Sequence, residues 1–200
     1  SIQFILNNSE SVGIIVSTKL QLTKVLKIRQ NLKYLKFIIS YNEDEKPAGA
    51  EHLYHFTEVQ KMGESIREQN PSFFSNSLSV SQENDLCTII YTSGTTGEPK
   101  GVLLTHKNLI SNINDALNFF PITDEDIFLS FLPLCHIFER MTGYYTAFGC
   151  GAQIYYAQSI ETVATDLIDA KPTLMTAVPR LFERIYSKVM KNIDSQSEKK

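Results

Sequence analysis

Short apolar runs alternate with amphipathic stretches along most of the chain. Residues 12–16 read as a strand, 18–32 as a helix and 35–39 as a second strand, a βαβ unit that favours parallel pairing. Residues 41–49 form an acidic, turn-rich loop, and 57–69 predict a helix capped by Thr57. Ser, Asn and Pro dominate residues 71–84, which read as a linker. A buried strand follows over 86–90, a short strand over 102–104, and a helix from the cap Thr105 to about Phe119. Strands at 127–132, 152–156 and 173–178 then alternate with helices at 137–148, ended by Gly149, and at 161–170. Pro179 opens a final helix. This alternation predicts an α/β fold, mostly parallel sheets with flanking helices. It divides into an N-terminal βαβ-like subregion (1–70), a linker (71–85) and an α/β region (86–200).

With 42% hydrophobic residues, the 200-residue chain can bury a real core. A net charge of −3 and a sequence pI near 5.8 leave no basic footprint for nucleic acid. Lys19, Lys24, Lys27, Arg29, Lys33 and Lys36 interleave with Leu20, Leu22, Val25, Leu26 and Leu32, an amphipathic helix with a basic face. Such a face leaves a peripheral membrane contact open. Cys87, Cys135 and Cys150 lack CxxC spacing, and their odd number in apolar surroundings suits reduced, buried thiols in a cytoplasmic protein. No apolar stretch reaches the ~18 residues of a membrane span.

Candidate chemistry concentrates at residues 91–101, Tyr-Thr-Ser-Gly-Thr-Thr-Gly-Glu-Pro-Lys-Gly. Gly94, Gly97 and Gly101 allow close backbone approach to a ligand. Thr92, Ser93, Thr95 and Thr96 supply hydroxyls, and successive loop N–H groups can form an anion-binding nest. Lys100 adds a point charge suited to phosphate. A Walker loop is excluded: only two residues separate Gly94 from Gly97, and Glu98-Pro99 precede Lys100. Pro99 and the apolar Val102-Leu103-Leu104 argue against a helix directly after the loop.

Unbroken from Tyr91 to Val102 and continuing through Thr105-His106, the segment resembles the phosphate-loop signature of AMP-forming adenylating enzymes. A second element, residues 131–140 (Phe-Leu-Pro-Leu-Cys-His-Ile-Phe-Glu-Arg), is similar to that family's Pro-x-x-His element. With residues 151–156, 159–161, 172–173 and 178–182 it resembles the long-chain fatty acyl-CoA synthetase branch. The resemblance covers nearly all of the chain but only an internal part of the large N-terminal domain of such enzymes. It implies an acid–thiol ligase using ATP, Mg²⁺ and coenzyme A. A long-chain fatty acid would attack the α-phosphorus of ATP, and CoA would then displace AMP.

On that resemblance Thr92, Ser93, Gly94, Thr95, Thr96, Gly97 and Lys100 hold the nucleotide's phosphates. Thr92 is a Mg²⁺ ligand, and Lys100 pairs with the leaving pyrophosphate. His136 orients the carboxylate and stabilises charge, while Ile137 and Arg140 border the acyl-adenylate. Taken alone, Ile137 and Arg140 read equally well as helix packing and a surface ion pair with Glu139 or a neighbour. One bacterial relative carries a Trp gate where Arg140 stands, and this chain has no Trp.

The family's Tyr-Gly-x-Thr-Glu element, its ribose-gripping Asp and its C-terminal Lys-bearing domain are not found in these residues. The expectation is therefore an internal fragment, inactive alone. Adenylation of an aryl or amino acid and a non-catalytic nucleotide-binding remnant stand as alternatives. The pair His52/His55 reads as a loop and strand edge rather than a metal site, Cys135-His136 is not a dyad, and Ser93 lacks a nucleophile elbow.

Overall fold

A computed structural model describes residues 2–41, 50–93, 97–183, 186, 187 and 190. The chain folds as two compact units, Ser1–Leu103 and Leu104–Lys200.

In the first unit, β1 (Gly13–Val16), α2 (Lys19–Ile28) and β2 (Phe37–Ser40) form the expected βαβ unit, with α1 (Ile2–Asn8) ahead of it. β1 and β2 pair in parallel with Gly13 opposite Phe37, and β3 (Leu53–His55) adds a third parallel strand beside β2. Thr18 starts α2 from an extended backbone, its Oγ1 accepting from the Gln21 N–H at 3.2 Å. The core is Leu6, Val16, Leu22, Val25, Leu32, Leu35, Ile38 and Leu53. Asn7 ties α1 to the chain after α2, donating through Nδ2 to Asn31 O and accepting at Oδ1 from Lys33 N–H (2.8 and 2.9 Å).

Two expectations for this unit change. Helix α3 (Phe56–Gln69) begins one residue early, and its cap moves two residues back, from Thr57 to His55, because the His55 N–H donates to Glu58 Oε2 at 2.7 Å. Residues 71–85, read as a linker, contain helix α4 (Phe73–Val80), and the units divide at Leu103/Leu104 instead. Serines that suit a loop here bond within the helix: Ser77 Oγ donates to Phe73 O (2.8 Å) and Ser79 Oγ to Asn76 O (2.7 Å). The acidic loop at 42–49 lies outside the described residues. β4 (Leu86–Thr92) pairs with β5 (Lys100–Thr105) as a separate two-stranded sheet.

In the second unit, Thr105 caps α5 (His106–Phe119), its Oγ1 accepting from Asn108 N–H at 3.3 Å. β6 (Ile127–Ser130) is the centre of a parallel sheet, with β7 (Gln153–Tyr156) on one side and β8 (Leu174–Met175) on the other. Phe128 and Leu129 are buried, as a central strand requires. Helix α7 (Val163–Ala170) connects β7 to β8, and residues 179–183 are helical from Pro179 onward. The helix expected over 137–148 instead has a π-helical segment, Glu139–Tyr145, continuing into α6 (Thr146–Cys150). Gly149 lies inside that helix. The stop is Gly151, whose φ of 80° is the left-handed cap conformation. All three cysteines are free, and none is fully buried as expected: Cys87 and Cys150 are half-buried, and Cys135 is exposed in the turn beyond β6. Among the described residues no helix is long and apolar enough to cross a membrane.

Candidate active site

β4 delivers Thr92 and Ser93, both exposed, to the start of the glycine-rich loop, and Lys100 is the exposed first residue of β5. The loop therefore returns straight into a strand, and no helix N-terminus follows it. Tyr91 anchors the strand end, its Oη donating to Asn8 Oδ1 at 2.7 Å. Gly101 lets β5 approach: a Cβ there would lie 2.9 Å from Ile89 Cγ2 and 3.2 Å from the Tyr91 ring. Gly97 has a φ of 97°, where other residues are strained, with open space around it. Gly94, Thr95 and Thr96 lie outside the described residues. The ends of the loop thus present hydroxyls and one ammonium group, chemistry suited to polyphosphate.

The loop belongs to the first unit and the histidine element to the second. Past the carboxyl end of β6, residues 131–136 form a turn in which His136 N–H donates to Pro133 O at 3.0 Å. His136 is exposed, and its carbonyl accepts from Arg140 N–H at 3.1 Å as the helix starts. The histidine thus occupies the strand-to-helix junction the sequence predicts, beyond the carboxyl end of a parallel strand. Ile137 is largely exposed beside it. Arg140 turns to Tyr145: Nε and Nη2 donate to its Oη at 3.2 and 3.0 Å, with the guanidinium 5.4 Å from the ring centre.

Glu139 does not turn toward Arg140. It is 0% exposed and accepts at Oε1 from Ser130 Oγ, 2.6 Å away, while Oε2 is buried with no hydrogen-bond partner. Burial pushes its carboxyl above the ordinary range, and the Ser130 hydroxyl opposes that shift only in part. Gly143 makes room for it, because a Cβ at that position would lie 2.5 Å from Oε1. The sequence reading missed this pair. Its one signal was a glycine inside a helical stripe, four residues after a glutamate.

Described residues of this unit line two apolar hollows. One of about 440 Å³ is walled by Phe128, Phe138, Thr142, Leu174 and Thr176 among others, with the Thr142 and Thr176 hydroxyls 3.1 Å apart. A smaller one, about 210 Å³, lies among Phe131, Leu132, Ile160, Val178, Arg180 and Leu181. Among the described residues no group of three His, Cys, Asp or Glu side chains could hold a metal ion.

The family model of the AMP-binding enzymes matches residues 1–200. Long chain acyl-CoA synthetase 3 of Arabidopsis thaliana is 32% identical over 94% of this chain and 29% of its own length. The long-chain-fatty-acid–CoA ligase ACSBG2 of Xenopus laevis is 33% identical over 97% of this chain and 26% of its own length. The chain thus spans under a third of the length of these relatives. A crystal structure of an anthranilate CoA ligase with anthranoyl-AMP superposes with a TM-score of 0.71 at 22% identity, covering 90% of this chain and 33% of that one. That likeness carries the fold: the α/β arrangement is that of the N-terminal domain of adenylate-forming enzymes. These 200 residues belong to the family of AMP-binding enzymes.

Proposed function

We propose that this chain is part of a long-chain-fatty-acid–CoA ligase that activates its acid as an acyl-adenylate and transfers the acyl group to coenzyme A. The observation that carries the reading is the loop of residues 91–101, strung between two paired strands and bearing Lys100 at its exit. In the first half-reaction a carboxylate oxygen bonds to the α-phosphorus of ATP, and the bond to the β-phosphate oxygen breaks. Charge grows on the departing pyrophosphate. Lys100 Nζ and the hydroxyls of Thr92 and Ser93 hold it, with Thr95, Thr96 and the backbone at Gly94 and Gly97 completing the grip. His136, an exposed donor at the end of β6, orients the carboxylate. A fatty acid is already ionised near neutral pH, so no base is needed. Ile137 and Arg140 line the acyl-adenylate, and the 440 Å³ hollow has the apolar character and size that suit an aliphatic chain.

The donor set suits Mg²⁺, which binds mainly through substrate phosphates and its own waters. Thr92 would hold it, and bound there it would neutralise phosphate charge. In the second half-reaction the CoA thiolate bonds to the acyl carbon, and AMP leaves with the original carboxylate oxygen.

Cytoplasmic residence, with the basic face of α2 touching a membrane, belongs to the same reading. So does the absence of activity in these 200 residues alone. The test is acyl-CoA formation by the full-length protein across palmitate, cinnamate and amino acids. Palmitoyl-CoA, AMP and pyrophosphate in equal amounts are expected. Preference for cinnamate or an amino acid overturns the substrate assignment, and no turnover with any acid overturns the reaction.

A further inference from the structure

A carboxyl group in the second unit is buried with no charged partner among the described residues, three residues beyond the histidine assigned to orient the substrate. Glu139 has no exposed surface, and its partner Ser130, the last residue of β6, is 4% exposed. The 2.6 Å bond between them spans nine positions and closes the two ends of the segment that carries His136. Everything between, residues 131–138, is exposed or half-buried and lacks the pairing of a strand. Filling the same space with an apolar side chain would avoid the cost of burying a carboxyl, so packing alone does not account for a glutamate here. Two further features accommodate it. Gly143 leaves the hollow into which Oε1 fits, and the helix widens into π geometry over Glu139–Tyr145, a distortion that occurs often at functional sites.

We propose that Glu139 is a positioning residue: it ties the carboxyl end of β6 to the first turn of the following helix and so fixes the turn that presents His136. The role rests on the reading of His136 as the group that orients the acid. β6 is the central strand of its sheet, paired on both sides, so the clamp refers the turn to the most rigid element available. Oε1 accepts the Ser130 hydroxyl's hydrogen bond. Oε2 is buried with no hydrogen-bond partner among the described residues, and burial favours the neutral carboxyl. The function asked of the group is geometric, with no proton passed to substrate.

The experiment uses the full-length protein with palmitate, ATP and CoA, and compares Glu139→Ala, Glu139→Gln and Ser130→Ala with the wild type. Gln keeps the size and the acceptor oxygen, so Glu139→Gln is expected to retain most of the rate. Ser130→Ala and Glu139→Ala are expected to lower kcat about 10- to 100-fold, the effect of misplacing a group by about 1 Å. KM for ATP should stay within about twofold, because the phosphate grip is untouched. Hydrogen exchange of 131–138 should quicken in both alanine variants while exchange in β1 and β2 stays unchanged. Folded alanine variants with wild-type kcat and exchange overturn the proposal. A Glu139→Gln loss as deep as Glu139→Ala also overturns it, since the proton itself would then be required. If Glu139→Ala does not fold, Ser130→Ala carries the test. Should the wild type activate no acid, the functional reading fails, and the exchange measurement still judges the clamp.

Discussion

Replacing Gly143 with alanine puts the packing around Glu139 to a quantitative test. The new Cβ would stand 2.5 Å from Glu139 Oε1 and 2.8 Å from its Cδ, where carbon contacts normally begin near 3.5 Å. A closure of about 1 Å must be relieved. Glu139 has no solvent to retreat into, being fully buried, so it must give up the 2.6 Å bond from Ser130 or push the helix off β6. Overpacking of this kind costs about 1–3 kcal/mol, and a buried polar group stripped of its partner costs about as much. Against that, alanine gains about 1 kcal/mol over glycine within a helix. The net expectation is a loss of about 1–2 kcal/mol. With Glu139→Ala already in place the clash is gone, and the same substitution should be neutral or stabilising by up to about 1 kcal/mol. The reversal of sign corresponds to a coupling of about 2 kcal/mol, within the range for residues in contact. Urea unfolding of the four proteins measures it, with native-state hydrogen exchange of residues 127–150 as the local readout in a multidomain protein. Equal destabilisation in both backgrounds, or none in either, would refute the packing argument.

Other substitutions probe the rest of the account. Lys100→Ala in the full-length protein should cut the adenylation rate by about 100-fold or more, measured as acid-dependent pyrophosphate exchange, because it removes the one charged donor assigned to the leaving group. Gly101→Val should loosen the β4–β5 pair and lower stability, since its Cβ meets Ile89 and Tyr91; a thermal midpoint unchanged from wild type would speak against the close approach. The Asp126 carboxyl is held below its ordinary range, first by the Thr173 hydroxyl at 2.7 Å and then by the Thr123 N–H at 2.8 Å. A depressed folded value adds stability above the unfolded value, and this is lost as pH falls through the folded one. Thr173→Val should therefore lower the urea midpoint at neutral pH and flatten its decline on the acid side; an unaltered slope counts against the assignment.

The βαβ unit and the alternation after residue 120 were legible because each strand is a compact apolar run and the helices between them carry an apolar stripe. Thr18 and Thr105 cap the helices that the sequence assigns to them. What escaped has tertiary causes. Helix α1 is held by Asn7 reaching residues 31 and 33, contacts that no local pattern records. Helix α4 hides behind serines whose hydroxyls bond back along the helix. The candidate phosphate loop at residues 91–101 and His136 stood out because of their residue types and spacing. Glu139 looked like half of a surface ion pair with Arg140, since charged neighbours on a helix usually face water. The structure sends them to different partners, Ser130 and Tyr145.

The acyl-adenylate route makes a prediction about a single atom. Palmitate labelled with ¹⁸O in its carboxylate is incubated with the full-length protein, ATP, Mg²⁺ and coenzyme A, and the released AMP is analysed by mass spectrometry. One labelled oxygen in the phosphate of AMP is the expected result, because that oxygen bonds to the α-phosphorus and stays there when the thiolate displaces AMP. Label in inorganic phosphate with ADP as co-product, or thioester formed with no label in AMP, would contradict the account.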